Sequence, residues 1–131
     1  MKFLISWTSM NGGSMSGGSD YVTDWNSVLR LLESLRTSPG TMCLENFDSP
    51  AISPISVDLI AEGGIYLVTL LEKNADGNHV RSYFNPAVKR EMVDLLGDFW
   101  DARQLTDDFD FVCMVFGEFF KTGDVSHQWL S

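Results

Sequence analysis

The stretch that most limits what this chain can fold into is Pro54–Lys73, reading PISVDLIAEGGIYLVTLLEK. Two runs rich in β-branched and aliphatic residues flank Gly63-Gly64, and a glycine pair takes positive φ at both central positions of a tight hairpin turn without steric penalty. A two-residue turn there sets the register. Ala61 faces Tyr66, Leu59 faces Val68 and Val57 faces Leu70, so one face is wholly apolar. The other face, with Asp58 opposite Thr69, is mixed. Burying the six inner side chains is worth roughly 10 kcal/mol gross, at ~1.5–3 kcal/mol for each large one. The hairpin is therefore expected in the middle of a sheet.

The neighbouring segments supply further strands. Lys2 to Thr8 places Phe3, Ile5 and Trp7 on one side and reads as a first strand. Thr41 to Phe47 reads as another, followed by a loop from Asp48 to Ser53. Beyond the central hairpin, Asp76-Gly77 signals a second turn into His79 to Phe84, with Glu72 opposite Arg81 and Leu70 opposite Tyr83. Between the first strand and the first helix, MNGGSMSGGS reads as a flexible loop. It lacks both the Lys-Ser/Thr ending and the G-x-G-x-x-G spacing of a phosphate cradle.

Three helices are expected. Asp24–Thr37 carries Trp25, Val28, Leu29, Leu32 and Leu35 at helical spacing, capped by Thr23 or Asp24 and stopped by Ser38-Pro39-Gly40. Asn85–Leu96 opens on a capping side chain followed by proline and places Val88, Met92, Leu95, Leu96 and Phe99 on one face, with Gly97 as its end. Another strand is expected around Ala102 to Leu105. Asp107–Lys121 begins with carboxylates suited to a first turn and runs on as an aromatic stripe of Phe109, Val112, Cys113, Phe116, Phe119 and Phe120. A strand through Phe109 to Phe116 is the alternative, since a short apolar run does not decide its own period. Val125, Trp129 and Leu130 are suited to pinning the tail down. The expected fold is one α+β domain over residues 1–131, a mainly antiparallel sheet of five to six strands with about three helices packed chiefly on one face.

Only two histidines are present, His79 and His127, and neither has Cys, Asp or Glu at a metal-ligand spacing. No G-x-S-x-G elbow occurs. No catalytic residue, metal ligand or cofactor is nominated, and the chain reads as a non-enzyme. Cys43 and Cys113, far apart in apolar surroundings, read as free thiols. The opening MKFLISWTS is too short an apolar run for a secretory signal, and no window reaches the length of a membrane span, so the expected compartment is the cytoplasm.

Charge is more informative. The formal net charge is −9. From Glu91 onward nine acidic residues stand against Arg103 and Lys121, a balance of −7, whereas the first ninety residues hold nine acids and seven bases. This sign argues against direct contact with nucleic acid or an anionic membrane surface and favours a basic protein partner. Asp98, Asp101, Asp107, Asp108 and Asp110 are the candidate partner-binding acids, with Trp100 as a candidate aromatic anchor.

Several segments taken together, Ile5-Ser6-Trp7, Asn11-Gly12-Gly13, Asn85-Pro86, Gly97 to Asp101 and Phe119 to Ser126, resemble the small acidic immunity proteins encoded beside bacterial polymorphic toxins, those of contact-dependent growth inhibition in particular. The resemblance implies an intracellular protein that binds one cognate toxin C-terminal domain and blocks it. Toxins of that group are often nucleases with basic clefts. It transfers no contact residue, because those differ between pairs. The competing class is a self-associating structural or regulatory module, in which an apolar sheet face or the Phe-rich helix forms a homodimer contact.

Overall fold

The computed structural model describes residues 1–131. Nine strands and two helices follow in the order β1 (Phe3–Asn11), β2 (Ser14–Val22), α1 (Trp25–Thr37), β3 (Gly40–Asn46), β4 (Ser53–Glu62), β5 (Ile65–Asn74), β6 (Gly77–Ser82), β7 (Met92–Leu95), β8 (Asp98–Asp101), β9 (Leu105–Thr106) and α2 (Phe109–Thr122). The main sheet runs β2-β1-β3-β4-β5-β6 and is antiparallel throughout, with the short β9 pairing β5 beyond β6. A separate two-stranded sheet is formed by β7 and β8.

The central hairpin has the register its glycine pair implies. Ala61 pairs with Tyr66, Leu59 with Val68, Val57 with Leu70 and Asp58 with Thr69, around Gly63 and Gly64 at φ 60° and 78°. Its apolar face joins Phe3, Ile5, Met42 and Leu44 of the neighbouring strands in one core, closed by Val28, Leu32 and Leu35 of α1 and by Val112, Val115, Phe116 and Phe119 of α2. Asp24 caps α1, accepting the Ser27 N–H at 3.2 Å. Asp108 caps α2, accepting that of Phe111 at 3.1 Å. The aromatic run from Phe109 is thus a helix, with Phe109, Val112, Phe116 and Phe119 of its stripe buried and Cys113 and Phe120 half-buried.

Several expectations are corrected. Asn85–Leu96 is not a helix. Asn85 does cap a turn, taking the Ala87 N–H at 3.1 Å, but the chain then runs extended into β7. The helix-facing side of the sheet is already covered by α1 and α2. The segment instead lies on the opposite side and uses a period of two, with Leu95 buried and Met92 exposed. Gly97 serves a hairpin turn with Leu96, at φ 92° and 52°, instead of ending a helix. The strand expected at Ala102–Leu105 is instead a 3₁₀ turn at Ala102–Gln104 followed by the first residue of β9, with β8 ending just before it at Asp101.

The glycine-rich stretch after the first strand is not a loop. Gly12-Gly13, at φ 57° and 85°, is the turn of a long hairpin in which β2 becomes an edge strand of the main sheet. Together with β9 this raises the main sheet to seven strands.

The β5–β6 register differs by two residues from the one Asp76-Gly77 suggests. Only Gly77 of that pair takes positive φ, 115°, and Asn74 pairs with Gly77, its carboxamide oxygen accepting the Asp76 N–H at 2.9 Å. A slip of two preserves the faces. It moves Arg81 opposite Leu70, over the edge of the core, where it is 1% exposed.

Candidate functional site

The side of the sheet away from the helices is covered only in part. The β7–β8 hairpin lies against it, with Leu95 buried beneath and the Leu96 N–H donated to Glu62 Oε1 at 3.1 Å. Between the tip of this hairpin and the tip of β1–β2 runs a groove of 560 Å³. Its floor and walls include Met10, Met15, Thr41, Ile60 and Leu96, and its charged residues are Glu62, Asp94 and Asp98, with no basic side chain among them. Apolar surface ringed by one sign of charge is the arrangement that steers and then holds an oppositely charged protein.

Alternation of side chains explains why these residues meet. Met10 pairs with Met15, and both point to the outer face, as do Thr41 and Ile60, which pair with each other. In the β7–β8 hairpin, Met92 pairs with Asp101 and Asp94 with Phe99 on the solvent side, where Met92 is 63% and Phe99 66% exposed. Asp94 belongs both to the groove and to this outward face, whereas Asp101 at its far end is paired with Arg103.

Leu96 is the one non-glycine residue in the chain with positive φ. A branched apolar side chain in the left-handed region costs about 1–2 kcal/mol, and such strain gathers where a side chain is needed for contact. Leu96 is held there from both sides. Asp94 Oδ1 takes the Gly97 N–H at 2.8 Å, and Glu62 takes that of Leu96.

The six residues nominated from the sequence do not converge. Asp98 lies on the groove. Trp100 points the other way from Phe99, pairs with Val93 and is half-buried, with its indole N–H shielded from solvent and lacking an acceptor. That orientation removes it as an exposed anchor. Asp101 is engaged by Arg103, with Nη2 to Oδ2 at 2.6 Å, and hydrogen bonds from the Arg103 side chain and backbone hold its carboxyl down at about 2. Asp107 sits where the chain passes from β9 to the helix layer, Asp108 is spent as the cap of α2, and Asp110 borders a groove between α2 and Trp25 and Leu29 of α1. Asp98 and Asp110 therefore lie on opposite sides of the sheet. Glu62, Asp94, Leu96 and the methionine pair were missed, because a groove between two hairpin tips has no signature in either segment alone.

The outer face also carries a polar row across all six strands, Ser19, Ser6, Cys43, Asp58, Thr69 and Ser82, each paired with the next. Burial, then the negative charge of Asp58, pushes the Cys43 thiol up to about 12, so it stays protonated at neutral pH. Cys113 on α2 is likewise free and raised to about 11, chiefly by burial. No group of three or more His, Cys, Asp or Glu is placed to hold a metal ion, and no helix is long and apolar enough to cross a membrane.

Residues 6–129 match a family described as a family of unknown function, DUF6911. The crystal structure of a hypothetical protein from Neisseria gonorrhoeae has the same fold, with a TM-score of 0.77 at 12% identity over 95% of this chain and 91% of that one. No curated protein matches the chain.

Proposed function

Starting from the fact that the chain belongs to the DUF6911 family, we propose that it is a binding protein that neutralises a basic protein partner by stoichiometric occupation, as an immunity protein does its cognate toxin domain. The observation that carries this reading is strained Leu96, presented between Asp94 and Asp98 beside Glu62 and the Met10–Met15 pair. The acids steer a cationic surface and the apolar side chains supply the buried contact. A nuclease toxin fits this surface, since its substrate cleft is basic and carboxylates stand in for phosphate charge. The groove replaces the six-residue patch of the sequence reading, of which it keeps Asp98.

The test is co-expression with the product of the adjacent upstream reading frame, which on this reading ends in a toxin domain. The expected result is survival of cells that the domain alone kills, and recovery of a one-to-one complex. Unrelieved killing with no complex rejects the reading.

A further inference from the structure

The two edges of the main sheet are treated differently. The β6 edge is covered at its end by the tail, where Ser82 and Ser131 exchange two backbone hydrogen bonds of 3.3 and 3.2 Å. The β2 edge has no such cover. Every residue from Ser14 to Tyr21 is exposed, the strand holds no proline, its pairing with β1 is free of bulges, and its one charge is Asp20. Natural sheets protect an edge of that length with lysines, prolines or a bulge.

The free backbone groups can be assigned. Asn11 and Ser14 flank a two-residue turn and form a hydrogen-bonded pair, so residues 14, 16, 18 and 20 bond to β1. Met15, Gly17, Ser19 and Tyr21 therefore turn their N–H and C=O groups outward. Of these, the Tyr21 N–H is held by the carboxylate of Asp20 at 2.8 Å, a local bond that pairing at this edge would replace.

We propose that β2 pairs with β2 of a second copy of this chain, antiparallel about a two-fold axis at Gly18. In that register Met15 lies opposite Tyr21 of the other copy and Gly17 opposite Ser19. Each of these is a pair that exchanges hydrogen bonds. The strand is self-complementary. Its two exposed apolar side chains, Met15 at 69% and Tyr21 at 70%, meet each other twice. Asp20 falls opposite uncharged Ser16, and the two Asp20 residues are offset by four positions, about 13 Å, beyond the reach of strong repulsion at physiological salt. A nearly neutral strand on a chain of net charge −9 is the surface on which two such chains can meet. The contact leaves Glu62, Asp94 and Asp98 open, shares Met15 with the groove, and does not depend on the toxin-binding reading.

Sedimentation equilibrium across a concentration series tests it. The wild type is expected to shift from 14.7 kDa toward twice that mass. Ser16→Asp, which sets like charges opposite each other twice, and Ser19→Pro, which removes an outward N–H, are each expected to stay monomeric. Adding Asp20→Lys to Ser16→Asp is expected to restore the dimer, because the opposed pair becomes attractive. A wild type that is monomeric up to about 1 mM, the weakest affinity of interest, or a dimer indifferent to both single variants, would overturn the proposal.

Discussion

Arg81 donates Nε–H to the carbonyl oxygen of Leu130 at 3.1 Å, forty-nine positions away, and so fastens the end of the chain to the sheet. The same guanidinium donates to the Val125 carbonyl and reaches Glu72 and Asp124 at 3.3 Å each. Val125 and Leu130, buried at 1% and 0% exposure, complete the core that this clamp closes. A buried arginine is tolerated here because its fork is matched by two carbonyls and two carboxylates.

Arg81→Ala is expected to destabilise the fold by about 3–5 kcal/mol, since it leaves two carbonyls unpaired and Glu72 without its cation. Arg81→Lys is expected to recover little, because a single ammonium cannot span the same acceptors. Urea denaturation of the three proteins checks both, and a loss below about 1 kcal/mol for the alanine variant, the size of a surface pair, contradicts the clamp.

Leu96→Asn is expected to stabilise the β7–β8 hairpin by roughly 0.5–1 kcal/mol, because asparagine followed by Gly97 accepts positive φ at both turn positions. The same change is expected to weaken partner binding, because it removes an apolar contact from the groove. Thermal melts and calorimetric titration read the two effects separately. A variant that gains stability at no cost in affinity removes the argument from strain.

Asp101 is expected to titrate at about 2 in the folded protein, held down by Arg103. Its folded value lies below its unfolded value of 3.8, so its stabilisation is complete above about pH 4 and is lost as the pH falls through about 2. Carboxyl-detected NMR of wild type and Arg103→Ala checks this. The variant should bring the midpoint back toward the ordinary carboxylate range.

Both thiols are expected to resist alkylation at pH 8 in the folded protein and to react fully once it is unfolded, since Cys43 and Cys113 titrate at about 12 and about 11. Iodoacetamide labelling followed by mass spectrometry measures the difference. Rapid labelling of native Cys43 would contradict its place beside Asp58 on the outer face.

Local signals read correctly where one element satisfied them. Gly63-Gly64 between apolar runs yields the central hairpin to the residue, and the stripes of α1 and α2 match what they bury. Reading failed where two outcomes share a signal. Asn85-Pro86 starts a turn in either case, and Val88, Met92 and Leu95 have helical spacing, but the helix layer was full and the segment went to the other face as β7. Gly12-Gly13 read as flexible because the β2 sequence has almost no apolar side chains, whereas its strand character comes from backbone pairing with β1. The candidate site was legible only at Asp98. Its other parts come from the tips of β1–β2 and β7–β8 and from β3 and β4 between them, and their meeting depends on sheet order, which no single segment encodes.

The most direct test of the central claim is the association rate, at low ionic strength, between this protein and the basic partner domain recovered in the co-expression test, measured for the wild type and for Asp98→Lys. Asp98 is exposed on the groove, and its side chain enters no ion pair within the fold. The expected result is an association rate that is fast, falls steeply with added salt and drops by about tenfold or more in the variant, as steered encounters do. Equal rates for the two proteins, with no dependence on salt, would contradict the acidic groove as the binding surface.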